Sequence, residues 1–360
     1  MKQPNTQQIK HKIWMLYGCT GYSGKLIAKE CKRQGLNPIL AGRDPIKVKQ
    51  IADDLGFTYR VFDLSEAGQI ERNISDCFML FNAAGPFTQT CEPLLKACLN
   101  QKVHNLSLVG EVPLLETLQQ YDQSAKDAEV LLAVGLGYDV IPTDCLANTL
   151  KAELPDATHL TIGMQGASHM SPGSTKEMIE QLGEQPFWLR RNGKLVEGKA
   201  STKHINVGQG EIFAMTIAWG DLSSAYFSTG IPNITVYASL NRIEAWLMQG
   251  ISHLKPLIRI KSVQNTINRL IDRFVAGPNE YVLEETPVYF LAEAMNLQGK
   301  TVRAKLKTAS GYKLTYLGAV YSIKHVLEKS FTHGYQTPAQ LLGSNAIEAI
   351  EGSSNIEIIP

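Results

Sequence analysis

"WMLYGCTGYSGKLIAKECKRQGLNPILAGR", Trp14 to Arg43, is the stretch on which the fold turns. "IWMLY" (Ile13–Tyr17) is a short apolar run of the kind that forms a buried strand. Gly18, Gly21 and Gly24 follow at three-residue spacing. From Ser23 to Gln34 the pattern is helical: Leu26, Ile27 and Cys31 share a face, and Lys25, Lys29, Lys32 and Arg33 lie mostly outside it. Gly35 is a natural stop. "PILAG" (Pro38–Gly42) is a second strand. Strand, glycine turn, helix and strand make a nucleotide-binding βαβ unit. Glycines there let the backbone turn sharply and meet a phosphate with no Cβ in the way, at the positive end of the helix dipole. Thr20, Tyr22 and Ser23 add hydroxyl donors. The spacing is GxxGxxG and not GxGxxG, and by itself it also suits a glycine-rich turn without a ligand.

The end of the second strand narrows the ligand. Sites that prefer NAD place an acid there for the ribose 2′-hydroxyl, whereas this chain has Gly42-Arg43. A guanidinium pairs with a 2′-phosphate through charge-assisted bonds, which points to NADP. The competing reading is a solvated surface arginine. Asp44 next to it would repel a phosphate unless it caps the helix Pro45–Leu55. "YRVFDL" (Tyr59–Leu64) is a third strand, and Asp63 at its end either meets the adenine amino group or caps a helix. "CFMLFNAAGPF" (Cys77–Phe87) is a fourth strand running into a turn of small residues. Asn82, Ala83, Ala84, Gly85 and Pro86 leave room for a ligand at its carboxyl end. A helix is expected from about Glu92 to Asn100 and another near Gln119–Ala128, with strands at Val103–Leu108 and Val130–Val134. Residues up to about 135 therefore read as a doubly wound parallel sheet.

Composition sets outer bounds. The chain has 360 residues, enough for two domains, with 44% apolar and 19% charged side chains. A formal net charge of +1 gives no field that argues for nucleic acid. The six cysteines are Cys19, Cys31, Cys77, Cys91, Cys98 and Cys145, none in CxxC spacing, so neither a disulfide framework nor a metal site is expected. The polar start "MKQPNTQQIKHK" is unlike a secretory signal, and no run of about 18 apolar residues is present. A cytoplasmic protein is expected, peripheral at a membrane if the basic segment described next meets lipid.

The second half changes character. "HLTIGM", "FAMTIAW", "AYFST" and "NITVYASL" are alternating or β-branched and read as a mixed, largely antiparallel sheet, interrupted by a helix-like "STKEMIEQL". Gly135 and Gly137 in "GLGYDVIPTD" let the chain leave the sixth strand. Tyr138, Asp139 and Asp144 would then border a cleft between the domains, although Asp144 equally suits the first turn of a helix. Residues 241–277 are amphipathic, with Arg242, Lys255, Arg259, Lys261, Arg269 and Arg273 against Glu244 and Asp272. That segment meets lipid, a dimer mate or the protein's own sheet. Strands at Val288–Met295 and Thr301–Thr308 follow, then a helix from about Tyr312 with Leu317, Val320, Ile323 and Leu327 as its stripe. The tail "GYQTPAQLLG" is expected to return to the first domain. The expected domains are 1–140 (NADP-binding), 141–328 (α+β, substrate or dimerisation) and 329–360 (the returning segment).

"YGCTGYSGKLIA", "AGRDPIKV", "FDL", "NAAGPF", "GLGYDVIPTDCLA" and "GYQTPAQLLG" together resemble the saccharopine dehydrogenase-like family, and within it the branch of bacterial trans-acting enoyl reductases. The resemblance runs from Ile13 to about Gly343. It implies a variant Rossmann domain joined to a substrate domain. It places Gly18, Gly21, Gly24 and Arg43 at the phosphates and Asn82 to Pro86 near the nicotinamide, with Cys19 where a smaller residue is usual.

The catalytic group is less legible. None of the 13 tyrosines has Lys four residues on, so the YxxxK device of short-chain dehydrogenases is missing. Candidate acids or polar anchors are Tyr138, Asp139, Glu111 and His104. His104 sits inside a strand pattern and suits a core histidine better. Tyr138 and Asp139 are the expected catalytic pair. The expected activity is NADPH-dependent enoyl reduction of an unsaturated acyl or lipid-precursor substrate, small or carrier-bound. A saccharopine-type amino-acid dehydrogenase and a non-catalytic NADP-binding module are the alternatives.

Overall fold

The computed structural model describes residues 12–166, 173, 175–176, 187–206, 210–239, 260–275 and 286–359. In chain order the first elements are β1 (Trp14–Tyr17), α1 (Tyr22–Arg33), β2 (Ile39–Gly42), α2 (Pro45–Leu55), β3 (Tyr59–Val61), α3 (Ala67–Ile74), β4 (Met79–Asn82), α4 (Phe87–Gln101), β5 (His104–Ser107), α5 (Val112–Gln119), α6 (Asp122–Asp127) and β6 (Leu131–Ala133). Next come α7 (Ile141–Glu153), β7 (His159–Gln165), β8 (Trp188–Arg191), β9 (Lys194–Glu197), β10 (Thr202–Asn206), β11 (Glu211–Ile217), α8 (Asp221–Thr229), β12 (Asn233–Ser239), α9 (Lys261–Phe274), β13 (Val288–Met295) and β14 (Thr301–Thr308). The last are α10 (Gly311–Glu328), β15 (Gly334–Gln336), α11 (Pro338–Leu342) and β16 (Glu357–Ile359).

The chain forms two units, one up to Ile141 plus Leu314–Ile350, the other Pro142–Lys313 plus Glu351–Pro360. The first holds a parallel seven-stranded sheet in the order β15-β6-β5-β4-β1-β2-β3. Its strands are short, and the central β1, β4 and β5 are buried throughout, as parallel strands covered by helices must be. Met15, Tyr17, Leu80, Leu94, Cys98 and Val103 pack in one cluster, and Leu115, Leu118, Leu132 and Val134 in a second. All six cysteines are buried and free.

The second unit holds a mixed sheet in the order β10-β11-β12-β7-β13-β14-β16, with β8 on β12 and β9 on β8. Only β12 and β7 pair in parallel among the described strands of this sheet; the rest are antiparallel. The fold class read from the sequence, a doubly wound parallel sheet followed by a mixed and largely antiparallel one, is the one observed.

Several boundaries differ from expectation. Helix α10, assigned to the second domain, belongs from Leu314 onward to the first unit. Its buried face carries Leu317, Val320, Ile323 and Leu327, and Lys324 Nζ donates to Gln34 Oε1 of the residue capping α1 at 3.1 Å. Residues from Glu351, assigned with the first domain, return to the second unit, where β16 pairs with β14. "AYFST" is not a strand but the end of α8, closed by Gly230 in the left-handed region, whose N–H donates to Tyr226 O at 2.8 Å. Helix α4 starts at Phe87 and runs through Pro93, which has no amide to donate. The helix expected near Gln119–Ala128 is α6, and α5 before it was not expected.

Of the amphipathic segment, residues 241–259 and 276–277 lie outside the described residues, as does most of "STKEMIEQL". The remainder is α9, with Ile271 buried and Leu270 and Phe274 50% and 72% exposed. Among the described residues no helix is long and apolar enough to cross a membrane.

Candidate cofactor and catalytic site

The glycine turn joins β1 to α1 at the carboxyl edge of the first sheet. Gly18 N donates to Ala41 O at 2.8 Å, tying the turn to β2. Gly18 has φ +91°, and a Cβ on it would stand 2.6 Å from Ala84 N. The turn is thus pressed against the loop leaving β4. A Cβ on Gly24 would stand 2.1 Å from Gly18 O, so that glycine permits the helix to abut the turn. Gly21 is different. It caps α1 with φ −73° and ψ 168°, a conformation open to any residue, and a Cβ there would only touch Gly18 O at 3.4 Å. The protein's own packing does not demand this glycine. Its bare Cα keeps the front of the helix clear, as a phosphate cradle requires.

The surrounding groups fit an anionic cofactor. The first amide used inside α1 is that of Lys25, donated to Gly21 O at 3.0 Å. The Ser23 and Gly24 amides precede it and point toward the helix opening. Thr20 and Ser23 are half-buried, and among the described residues their hydroxyls make no hydrogen bond. Tyr22 is half-buried beside them. Cys19 is buried in the turn, and burial pushes its thiol up to about 11.

Arg43 is exposed at the end of β2. Asp44 does not confront a phosphate: its Oδ1 accepts from Ile46 N and Lys47 N, both at 3.1 Å, capping α2, and these bonds hold its carboxyl below its ordinary range. Asp63 follows β3 with Oδ1 accepting from the Ser65 hydroxyl and from Ser65 N, the latter at 2.8 Å, and these bonds likewise lower its pKa. Burial pushes the Tyr17 hydroxyl up to about 12, partly offset by the nearby Arg43 guanidinium, and that hydroxyl donates to Phe62 O at 3.3 Å.

The loop after β4 is built from within. Asn82 is buried, its Oδ1 accepts from Ala84 N at 2.9 Å, and its Nδ2 donates to Thr90 Oγ1 at 3.2 Å. Thr90 Oγ1 in turn donates to Ala84 O at 2.6 Å. The Asn82 carboxamide therefore shapes the turn. Ala83 is buried, Gly85 exposed, and the cis Gly85–Pro86 bond leads into α4.

The loops leaving β5 and β6 interlock. Leu136 N donates to Ser107 O at 3.1 Å. A Cβ on Gly137 would meet Leu108 Cδ2 at 3.1 Å, and one on Gly110 would meet Asp139 Cβ at 2.9 Å and Oδ2 at 3.1 Å. Gly110 thus yields the space that the Asp139 carboxyl occupies. Asp139 is half-buried with no hydrogen-bond or ion-pair partner among the described residues. Burial pushes its carboxyl up to about 6. Tyr138 is buried, with its amide donated to Thr315 Oγ1 at 3.4 Å.

The remaining candidates are structural. Glu111 Oε2 accepts from Gly110 N at 3.1 Å. His104 lies at the opposite end of β5, where its Nδ1 accepts from Leu131 N at 3.1 Å and its ring meets Phe78 and Phe331 edge-on. Burial, with help from His333 and Lys12, lowers its pKa to about 4. Asp144 belongs to the second unit, where its Oδ1 accepts from Ser228 Oγ at 2.6 Å and Asn148 Nδ2 at 3.3 Å, clasping α7 to α8. Sequence reasoning missed Ser107, whose buried hydroxyl makes no hydrogen bond among the described residues. A serine in a strand carries no sequence signal of that kind.

Residues 14–132 match the family described as the saccharopine dehydrogenase NADP binding domain. A trans-acting enoyl reductase of Mycobacterium ulcerans is 28% identical over 138 residues, 36% of this chain and 33% of that protein. A human saccharopine dehydrogenase-like oxidoreductase is 23% identical over 198 residues, 48% of this chain and 46% of that one. The matched stretches span less than half the length of these curated relatives. The apo saccharopine dehydrogenase (L-Glu forming) of Saccharomyces cerevisiae aligns over 97% of this chain and 100% of its own, with a TM-score of 0.65 at 12% identity, a likeness of fold.

Proposed function

We propose that this chain, saccharopine dehydrogenase-like and with that family's NADP-binding domain at residues 14–132, is an NADPH-dependent reductase of a polarised double bond. An α,β-unsaturated acyl group, small or carrier-bound, is its substrate. The observation that carries the reading is the Asp139 carboxyl, half-buried and without a partner among the described residues, at the carboxyl edge of the sheet that bears the proposed NADP cradle.

NADPH supplies the hydride when bound. In the proposed reaction the hydride adds to the β-carbon, the C=C π electrons move toward the carbonyl, and one proton is taken up at the α-carbon. The products are the saturated acyl group and NADP. Gly18 and Gly24 hold the turn against α1, and Gly21, Thr20, Ser23 and the α1 amides bind the phosphates. Arg43 binds the 2′-phosphate. Asp139, with its pKa raised to about 6, gives up a proton near neutral pH and regains it from solvent. Tyr138 is assigned the carbonyl oxygen, where one donor steadies the developing charge.

The enoyl assignment is supported by the likeness to the Mycobacterium ulcerans reductase and by the missing YxxxK. The fold shared with yeast saccharopine dehydrogenase favours a second reading, oxidation of an amino-acid-derived secondary amine. The deciding assay follows NADPH oxidation with enoyl thioesters of increasing chain length, and NADP reduction with saccharopine. Turnover of enoyl substrates is expected, with Asp139→Asn slowed by about 10²–10⁴-fold at unchanged NADPH affinity. Turnover of saccharopine alone would select the second reading. NADPH binding without any turnover would favour a sensor or docking module. Wild-type rates in Tyr138→Phe would remove the role given to Tyr138.

A further inference from the structure

Buried hydroxyls nearly always find a partner, because leaving one unpaired forfeits the bonds it had with water. Ser107 is 2% exposed, and its Oγ makes no hydrogen bond among the described residues. It is the last residue of β5. In register it stands opposite Asn82 of β4, which stands opposite Tyr17 of β1. Residues paired in register along parallel strands project to the same face, so the Ser107 hydroxyl lies on the face where the Asn82 carboxamide builds the Ala83–Pro86 turn. Asn105, two residues earlier on that face, already has a partner in Cys98 Sγ at 3.4 Å. The Ser107 carbonyl is likewise spent, on Leu136 N. Only the hydroxyl is left over, at the strand ends where open α/β sheets bind ligands.

We propose that Ser107 is a cofactor-positioning residue, whose hydroxyl is reserved for the carboxamide of the bound nicotinamide. The inference rests on the NADPH reading above. A serine hydroxyl suits an amide, since it donates to the carbonyl and accepts from the NH2 group. The chemistry on offer at this end of the sheet is divided between neighbours: a neutral hydroxyl on β5 for the ring's amide, and the Asp139 carboxyl, on the loop leaving the adjacent β6, for the proton.

The test compares wild type with Ser107→Ala by calorimetric titration of NADPH and of 2′,5′-ADP, which has the 2′-phosphate but no nicotinamide. Ser107→Ala is expected to bind NADPH about three- to tenfold more weakly and 2′,5′-ADP as wild type does. Without cofactor its thermal midpoint should equal or exceed that of wild type, because no internal hydrogen bond is lost. Ser107→Cys, close in shape and a weak donor, should bind NADPH between the two. Unchanged NADPH affinity overturns the proposal, as does an equal loss for both ligands. A lowered midpoint or failure of Ser107→Ala to fold also overturns it, since the hydroxyl would then serve the protein itself. Failure of wild type to bind either ligand would strike the cofactor reading instead.

Discussion

Replacing Asp139 by Asn tests the electrostatics of the site without any substrate. The change keeps the shape of the side chain beside Gly110 and removes its charge. Burial moves the carboxyl from an ordinary 3.8 up to about 6. Each unit of pKa is worth about 1.4 kcal/mol, so the full shift would weigh on the ionised form by about 3 kcal/mol. A half-buried group is partly screened by water, which brings the expected range to about 1–3 kcal/mol. The folded protein holds this proton at pH values where the unfolded chain has already lost it. Its contribution to stability is therefore full below about pH 4 and is lost as pH rises to about 6. The assay is urea unfolding of wild type and Asp139→Asn at intervals from pH 4 to pH 8. Carboxylates common to both proteins cancel in the difference. The stability difference should move in favour of Asn between pH 4 and 6, by about 1–3 kcal/mol, and then stay flat. A difference that does not change with pH would refute the reasoning, because Asp139 would then titrate as an ordinary carboxylate.

Arg43→Ala should weaken NADPH about ten- to a hundredfold and leave NADH nearly unchanged, read by calorimetry; equal losses would remove Arg43 from cofactor choice. Gly24→Ala, facing Gly18 O at 2.1 Å, should cost about 2 kcal/mol or more in thermal or urea unfolding, whereas Gly21→Ala should fold normally and lose NADPH affinity. His104→Phe should cost about 1–3 kcal/mol, since the Leu131 amide loses its buried acceptor. It should also abolish the stability that wild type loses as pH falls from about 6.5 to about 4, the range set by the lowered histidine pKa. If the exposed Leu270 and Phe274 of α9 meet lipid beside Arg269 and Arg273, the protein will co-sediment with anionic but not zwitterionic vesicles, and salt will release it.

The parallel sheet was readable from the sequence because its signals are local. A buried strand is a short apolar run, a strand-to-helix phosphate turn needs glycines, and Asp44 before Pro45 is a cap wherever it occurs. The expectation of NADP was equally local, since it was read from one side chain, Arg43, at the end of one strand. Signals failed where the local pattern was ambiguous and packing decided. "AYFST" alternates like a strand, yet Leu222 and Ala225 bury on one face of a helix that ends at Gly230. Helix α10 joined the first unit because its stripe found partners there, and no periodicity states which partner a stripe will meet. The chemistry of the site was the least legible part. Asp139 and Tyr138 could be singled out only because glycines precede them. Gly110, distant in sequence, makes room for the Asp139 carboxyl, and Ser107 is notable only for a bond it does not make. A raised pKa and an orphaned hydroxyl are properties of surroundings assembled from separate strands, so only the tertiary structure could decide them.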